Sequence, residues 1–174
     1  ILSGEDSVDG GTGQDTFQIS ALELTSNDSI AGGADSADAL TFTAAGGAVI
    51  DSQFSNVLGI ETLNLTSGIT TITLAANAEL AGINAITVAD SVSYLDASGF
   101  TATGLTISTT ASDQAVKIFT GVGSDSVVIS SSGAETISVG EGNNTVSGGS
   151  GATTLTAGAG ADSLVTGAGA DVIT

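Results

Sequence analysis

Residues Ser130 to Thr174 read SSSGAETIS, VGEGNNTVS, GGSGATTLT, AGAGADSLV and TGAGADVIT, which is five nine-residue units without remainder. The fourth residue of every unit is glycine (Gly133, Gly142, Gly151, Gly160, Gly169), and the eighth is a branched aliphatic (Ile137, Val146, Leu155, Leu164, Ile173). The sixth runs Glu135, Asn144, Thr153, Asp162, Asp171, so an oxygen-bearing side chain persists there while its charge comes and goes. This is an internal repeat, and a repeat this short predicts stacked coils.

The spacing has a physical reason. Glycines at the first, second and fourth places permit positive φ, so the chain can turn sharply with its carbonyls pointing inward. A hard cation such as calcium takes about six to eight oxygen ligands, mostly carboxylates and backbone carbonyls, and the sixth-position aspartate adds the charge. Positions seven to nine then form a short strand whose one aliphatic points inward, because strand neighbours face opposite sides. Two units make one coil of about 18 residues, which places Asn144 and Asp162 on one edge and Glu135, Thr153 and Asp171 on the other. The second edge loses charge at Thr153, so weak cation binding is expected in the middle of the run and stronger binding toward its C-terminal end. Asp162 and Asp171 lack a following coil, which predicts either a longer natural protein or a second copy stacked there.

The start of the chain is in the same phase. Gly10 to Gln18 (GGTGQDTFQ) fits every place of the unit, with Gly11 and Gly13 in the turn, Asp15 at the ligand place and Phe17 inward. Residues 1–9 (ILSGEDSVD) keep Gly4, Asp6 and Val8, with Asp9 at the end. Between residues 19 and 42 the pattern is degenerate, and Asp28, Asp35 and Asp38 are candidate ligands. From 43 to 119 the unit fades into a looser aliphatic pattern, Ile60-Leu63-Leu65, Ile69-Ile72-Leu74 and Ile83-Ile86-Val88. Short alternating strands with Gly, Asn, Asp and Ser between them predict coils of the same solenoid with longer corners; the alternative is a separate small β-sandwich. Ala75 to Ala81 is the one helix-compatible insertion. Residues 120–128 (TGVGSDSVV) restore the unit with Asp125 at the ligand place, and the extra residue Ile129 predicts a bulge or widened corner.

Composition limits the function. Nineteen acids against one base, Lys117, give a formal charge of −18, which disfavours nucleic acid and anionic membrane as partners. Eight acids fall within the first 40 residues (Glu5, Asp6, Asp9, Asp15, Glu23, Asp28, Asp35, Asp38), a cluster that needs counter-ions. No cysteine is present to staple the fold, and no apolar run approaches membrane-spanning length, so no membrane insertion is expected. Without His or Cys no usual pairing of base and nucleophile can be assembled, and Glu61, Glu79, Asp90 and Asp96 have no motif around them; an enzyme is not expected.

The nonapeptides, together with DALTF (38–42), NVLGIETLNL (56–65) and DASGFTATGLTI (96–107), resemble bacterial surface proteins with RTX, or hemolysin-type calcium-binding, repeats, including S-layer proteins and giant adhesins. The resemblance implies an all-β fold, a parallel β-roll or β-helix solenoid with calcium-binding Gly/Asp-rich turns. It implies RTX-like coils over 1–42, solenoid coils with longer corners over 43–119 and a nonapeptide β-roll over 120–174. The metal-site candidates are Asp6, Asp9, Asp15, Asp28, Asp35, Asp38, Asp125, Asn144, Asp162 and Asp171, with the turn glycines Gly4, Gly11, Gly13 and Gly160. It further implies type I export, an extracellular place at the cell surface, and self-association or tandem neighbouring repeats. The leading expectation is therefore a calcium-stabilised structural module of an S-layer or fibre. The alternative is an adhesin segment binding polysaccharide, a cell surface or ice, motivated by Thr70, Thr71, Thr73 and Thr106.

Overall fold

A computed structural model describes residues 4–34, 37–43, 47–66, 68–110 and 113–174. The first coils contain β1 (Ser7–Asp9), β2 (Thr16–Ser20), β3 (Ser29–Ala31), β4 (Ala39–Thr43) and β5 (Gly47–Ile50), then a 3-10 turn at Asp51–Phe54. The central coils hold β6 (Val57–Leu58), β7 (Thr62–Leu65), β8 (Ile69–Thr73), helix α1 (Ala76–Ala81), β9 (Ala85–Val88), β10 (Tyr94–Ala97) and β11 (Thr106–Thr109). The last coils alternate β12 (Lys117–Thr120), β13 (Ser126–Val128), β14 (Glu135–Val139), β15 (Thr145–Ser147), β16 (Thr153–Ala157), β17 (Ser163–Val165) and β18 (Val172–Ile173). The fold is an all-β parallel solenoid.

Two long sheets run along it. One stacks β2, β4, β7, β9, β11, β13, β15 and β17; the other stacks β5, β8, β10, β12, β14, β16 and β18; a short third sheet joins β1, β3 and β6. Apart from β6, the strands of 43–119 belong to the same long sheets as those on either side, so that stretch is solenoid and not a separate sandwich.

Register explains the repeat. Phe17, Leu40, Leu63, Ile86, Ile107, Val127, Val146 and Leu164 form one unbroken inward column. Val49, Ile72, Leu95, Ile118, Ile137, Leu155 and Ile173 form the facing one. Stacking like residues on like removes their apolar surface from water, the main favourable term for a coil too thin to build a globular core. The eighth-position aliphatics are thus the core, with Ile173 left 51% exposed at the last strand.

Coils shorten along the axis. Equivalent residues are 23 apart at Asp15 and Asp38, 20 at Leu105 and Asp125, 19 at Asp125 and Asn144, and 18 at Asn144 and Asp162. The surplus lies in corners. The extra residue near Ile129 widens the corner between β13 and β14 to residues 129–134, against 148–152 between β15 and β16, and Ile129 itself is buried.

Helix α1 fills one such corner, where the Ala-rich run predicts it. Its N-terminus is capped from the preceding coil: the Asp51 carboxylate accepts the N–H groups of Ala75 (2.6 Å), Asn77 (3.2 Å) and Ala78 (3.0 Å). Glu79, also from this helix, ties it to the next coil by accepting the N–H groups of Thr101 (3.0 Å), Ala102 (2.9 Å) and Thr103 (2.8 Å) and the Thr101 hydroxyl (3.1 Å). Burial pushes the Glu79 carboxyl up, but these four donors outweigh it and hold it at about 2. A depressed carboxyl stabilises the fold above its unfolded value, near 4.5, and loses that contribution as pH falls toward 2. The advantage of wild type over Glu79→Gln in urea unfolding is therefore expected to be about 1–2 kcal/mol above pH 5 after solvent screening, and to shrink on acidification. An advantage independent of pH would contradict this assignment.

Candidate metal centre

Every strand of the eight-stranded sheet is preceded by one corner residue. In order these are Asp15, Asp38, Glu61, Asn84, Leu105, Asp125, Asn144 and Asp162. Asp38, Glu61, Asp125, Asn144 and Asp162 each use one oxygen in a common way, capping an N–H of the coil before. The Asp15 N–H donates to Asp38 Oδ1 (2.7 Å), and the Asp38 N–H to Glu61 Oε2 (2.9 Å). Farther along, the N–H groups of Leu105, Asp125 and Asn144 donate to Asp125 Oδ1 (2.8 Å), Asn144 Oδ1 (3.0 Å) and Asp162 Oδ1 (2.9 Å).

The seven-stranded sheet has its own column. The Thr153 N–H donates to Asp171 Oδ1 (2.9 Å), and the Thr153 hydroxyl to Glu135 Oε2 (3.0 Å). Positions 18 apart therefore do share an edge, as the nonapeptide spacing predicts. On the short sheet the Asp6 N–H donates to Asp28 Oδ1 (3.1 Å).

The second oxygen divides these corners into two kinds. Asp15 Oδ2 and Asp38 Oδ2 are buried and have no hydrogen-bond partner, and the Asp38 residue is wholly buried. Each converges with a glycine carbonyl on space that only a glycine leaves open. A Cβ on Gly10 would lie 2.5 Å from Asp15 Oδ2 and 2.6 Å from the Gly32 oxygen; one on Gly32 would lie 2.7 Å from Asp38 Oδ2 and 1.8 Å from the Gly59 oxygen. Oxygens that only accept, buried together, are costly without a donor or a positive charge.

At Asp28, Asp125, Glu135 and Asn144 the second polar atom is satisfied from within. Asp28 Oδ2 accepts both the N–H (2.7 Å) and the hydroxyl (2.9 Å) of Thr25. Burial would raise the Asp28 carboxyl, yet these bonds and that from Asp6 outweigh it and hold it below the ordinary value. Asp125 Oδ2 accepts the Thr120 hydroxyl (2.5 Å), and here burial prevails and pushes the carboxyl up. Glu135 accepts the hydroxyls of Ser131 and Thr153 on its two oxygens. Asn144, held by the Asp125 N–H on its oxygen, turns its Nδ2 to the carbonyls of Gly140 (3.1 Å) and Gly142 (3.3 Å).

Asp9 is exposed and accepts the Gly11 N–H (3.0 Å); Asp162 and Asp171 are half-buried on the last coils. Gly4, Gly11, Gly13 and Gly160 adopt positive φ (122°, 88°, 108° and 148°), as sharp turns require. Asp35 lies outside the described residues. Among the described residues, no three acidic side chains converge as a ligand group. Glu61, without a motif around it, nevertheless joins the column. Its signal is arithmetic: it follows Asp38 at the same separation of 23 that separates Asp38 from Asp15.

A family model described as the RTX calcium-binding nonapeptide repeat (4 copies) matches residues 2–17, 129–152 and 147–174. Those residues are similar to RTX repeats. No curated protein and no solved structure matches it significantly. Asp15 lies inside the first RTX match, whereas Asp38 and Glu61 continue the same column outside it. RTX repeats imply calcium, and the Asp15 and Asp38 corners fit that ion: a buried carboxylate oxygen and a glycine carbonyl converge in each, with no donor on the carboxylate oxygen. Bound there, calcium supplies the charge and coordination that these oxygens lack.

Proposed function

We propose that the chain is a structural, calcium-stabilised solenoid module of a secreted bacterial surface protein, a component of an S-layer or extracellular fibre, with copies or tandem neighbours associating end to end. The observation that carries this reading is the pair of buried carboxylate oxygens, Asp15 Oδ2 and Asp38 Oδ2, without a partner. In calcium-poor surroundings the stacked carboxylates Asp15, Asp38 and Glu61 repel, within a chain whose formal charge is −18, and oppose folding. This suits export of an unfolded chain by a type I system. Outside the cell, calcium joins the coils. Extracellular calcium modules have Kd values of about 10⁻⁴ to 10⁻³ M, and a site at about a hundred times its Kd contributes ~2.7 kcal/mol. The role is structural and not catalytic, since the sequence offers neither His nor Cys.

Far-UV circular dichroism of the purified chain, started in chelator and titrated with calcium through the millimolar range, tests the reading. Conversion of a weakened or coil spectrum into a stable β spectrum, with a rise in Tm, is the expected outcome. An identical spectrum and Tm in chelator would overturn it.

A second reading, an adhesin segment, draws on threonines on the outer face of the seven-stranded sheet. Thr136 pairs with Thr154, and the hydroxyls of Thr156 and Thr174 lie 2.9 Å apart across neighbouring strands. Tyr94 and Lys117 interrupt the Thr136 row in preceding coils, so the ladder is short. Saturable binding to polysaccharide or ice would favour this reading over the structural one.

A further inference from the structure

We propose that the calcium dependence of this solenoid resides at the Asp15 and Asp38 corners, and that the internal corners at Asp125, Glu135 and Asn144 are closed by donors built into the chain and take no ion. The proposal rests on the calcium reading above and deepens it. The sequence expectation placed stronger sites toward the C-terminal end of the final run.

The chemistry differs corner by corner. A calcium site needs oxygens that face one another without donors, and only Asp15 and Asp38 present a buried carboxylate oxygen in that state among the described residues. At Asp125 the Thr120 hydroxyl, itself buried, occupies the second oxygen. At Glu135 the hydroxyls of Ser131 and Thr153 occupy both. At Asn144 the substitution is complete: the amide keeps the oxygen that caps the Asp125 N–H and replaces the other with a donor. That donor reaches the carbonyls of Gly140 and Gly142, the second and fourth places of the unit VGEGNNTVS, where a carboxylate would add a third acceptor. Asparagine thus does internally what aspartate plus a cation would do together. Asp28 is closed likewise by Thr25.

Closed corners allow the coils from Asp125 to Asn144 to be ordered before any ion binds. The N-terminal coils, with the denser carboxylates, become the part that calcium switches.

Hydrogen exchange of the intact chain, with peptides resolved by mass spectrometry in chelator and in saturating calcium, separates the two halves. Peptides over 10–42 are expected to gain protection by about tenfold or more, while those over 105–128 stay unchanged. A comparable gain over 105–128 would overturn the proposal. Two variants extend the test. Asp38→Asn is expected to weaken calcium binding, measured by calorimetry, by about tenfold or more, whereas Thr120→Val and wild type differ in stability in chelator and not in the N-terminal site. Asn144→Asp is expected to make protection of 120–145 calcium-dependent, because it leaves the Gly140 and Gly142 carbonyls and a carboxylate oxygen without a donor. Unaltered calcium affinity in Asp38→Asn, or calcium-independent protection in Asn144→Asp, would count against it. Failure of the wild-type chain to bind calcium at all overturns the functional reading itself, whereas calcium binding with a response over 105–128 overturns only its placement.

Discussion

Substituting Phe42 by alanine is expected to destabilise the chain by about 3–5 kcal/mol, the loss typical of a fully buried phenylalanine. Phe42 is wholly buried in β4 and meets Phe54, from the 3-10 turn of the next coil, edge to face at a centroid distance of 6.2 Å. Most buried side chains here are small aliphatics stacked on their equivalents, whereas this aromatic pair fills the widest coils, so no neighbour can close the void. Urea unfolding followed by circular dichroism measures the loss. Because each coil touches only its neighbours, the damage should be local: exchange protection is expected to fall over 17–65 and to persist over 126–157. Phe17, one coil earlier and only partly buried against the core, provides the comparison. Its replacement by alanine should cost less than half as much, and equal losses would contradict the burial argument.

Substituting Gly32 by alanine is the second large effect, expected at about 3 kcal/mol or more through overpacking. The added methyl would sit 1.8 Å from the Gly59 oxygen and 2.8 Å from Asp38 Cβ, so neither backbone nor side chain can yield without parting the two coils. The same methyl fills the space on which Asp38 Oδ2 and the Gly59 carbonyl converge. Stability in chelator and calcium affinity should therefore fall together. Unfolding in chelator and a calcium titration by calorimetry measure the two separately. A variant that kept wild-type stability, or lost stability and bound calcium as tightly as wild type, would show that Gly32 does not face the ion.

Local chemistry makes much of this fold legible in the repeat itself. Glycine at the fourth place, an aliphatic at the eighth and an oxygen at the sixth are strong constraints because each has one physical use: a turn, a core contact and a corner acceptor. The pairs Asn144 with Asp162 and Thr153 with Asp171 follow from that period alone, and α1 follows from an Ala-rich run without β-branched residues. The central coils were harder to read. Glu61 follows Asp38 at the same separation of 23 that separates Asp38 from Asp15, but that separation is not the nonapeptide period, so the repeat does not expose it as a rung.

What the sequence determined by itself is therefore the periodic part: the parallel solenoid, its inward columns, and the two edges on which sixth-position side chains stack. Tertiary structure alone decided which of those side chains lack a partner. Asp15, Asp38, Asp125 and Asp28 are the same residue type at equivalent corners, and the sequence cannot tell them apart. Thr25 reaches Asp28 from three residues before it, and Thr120 reaches Asp125 from five, while no donor approaches the second oxygen of Asp15 or Asp38. A carboxylate's need for a cation depends on whether a donor already occupies its lone pairs. That is set by where the corners fold back, at distances of a few ångströms that no repeat pattern records.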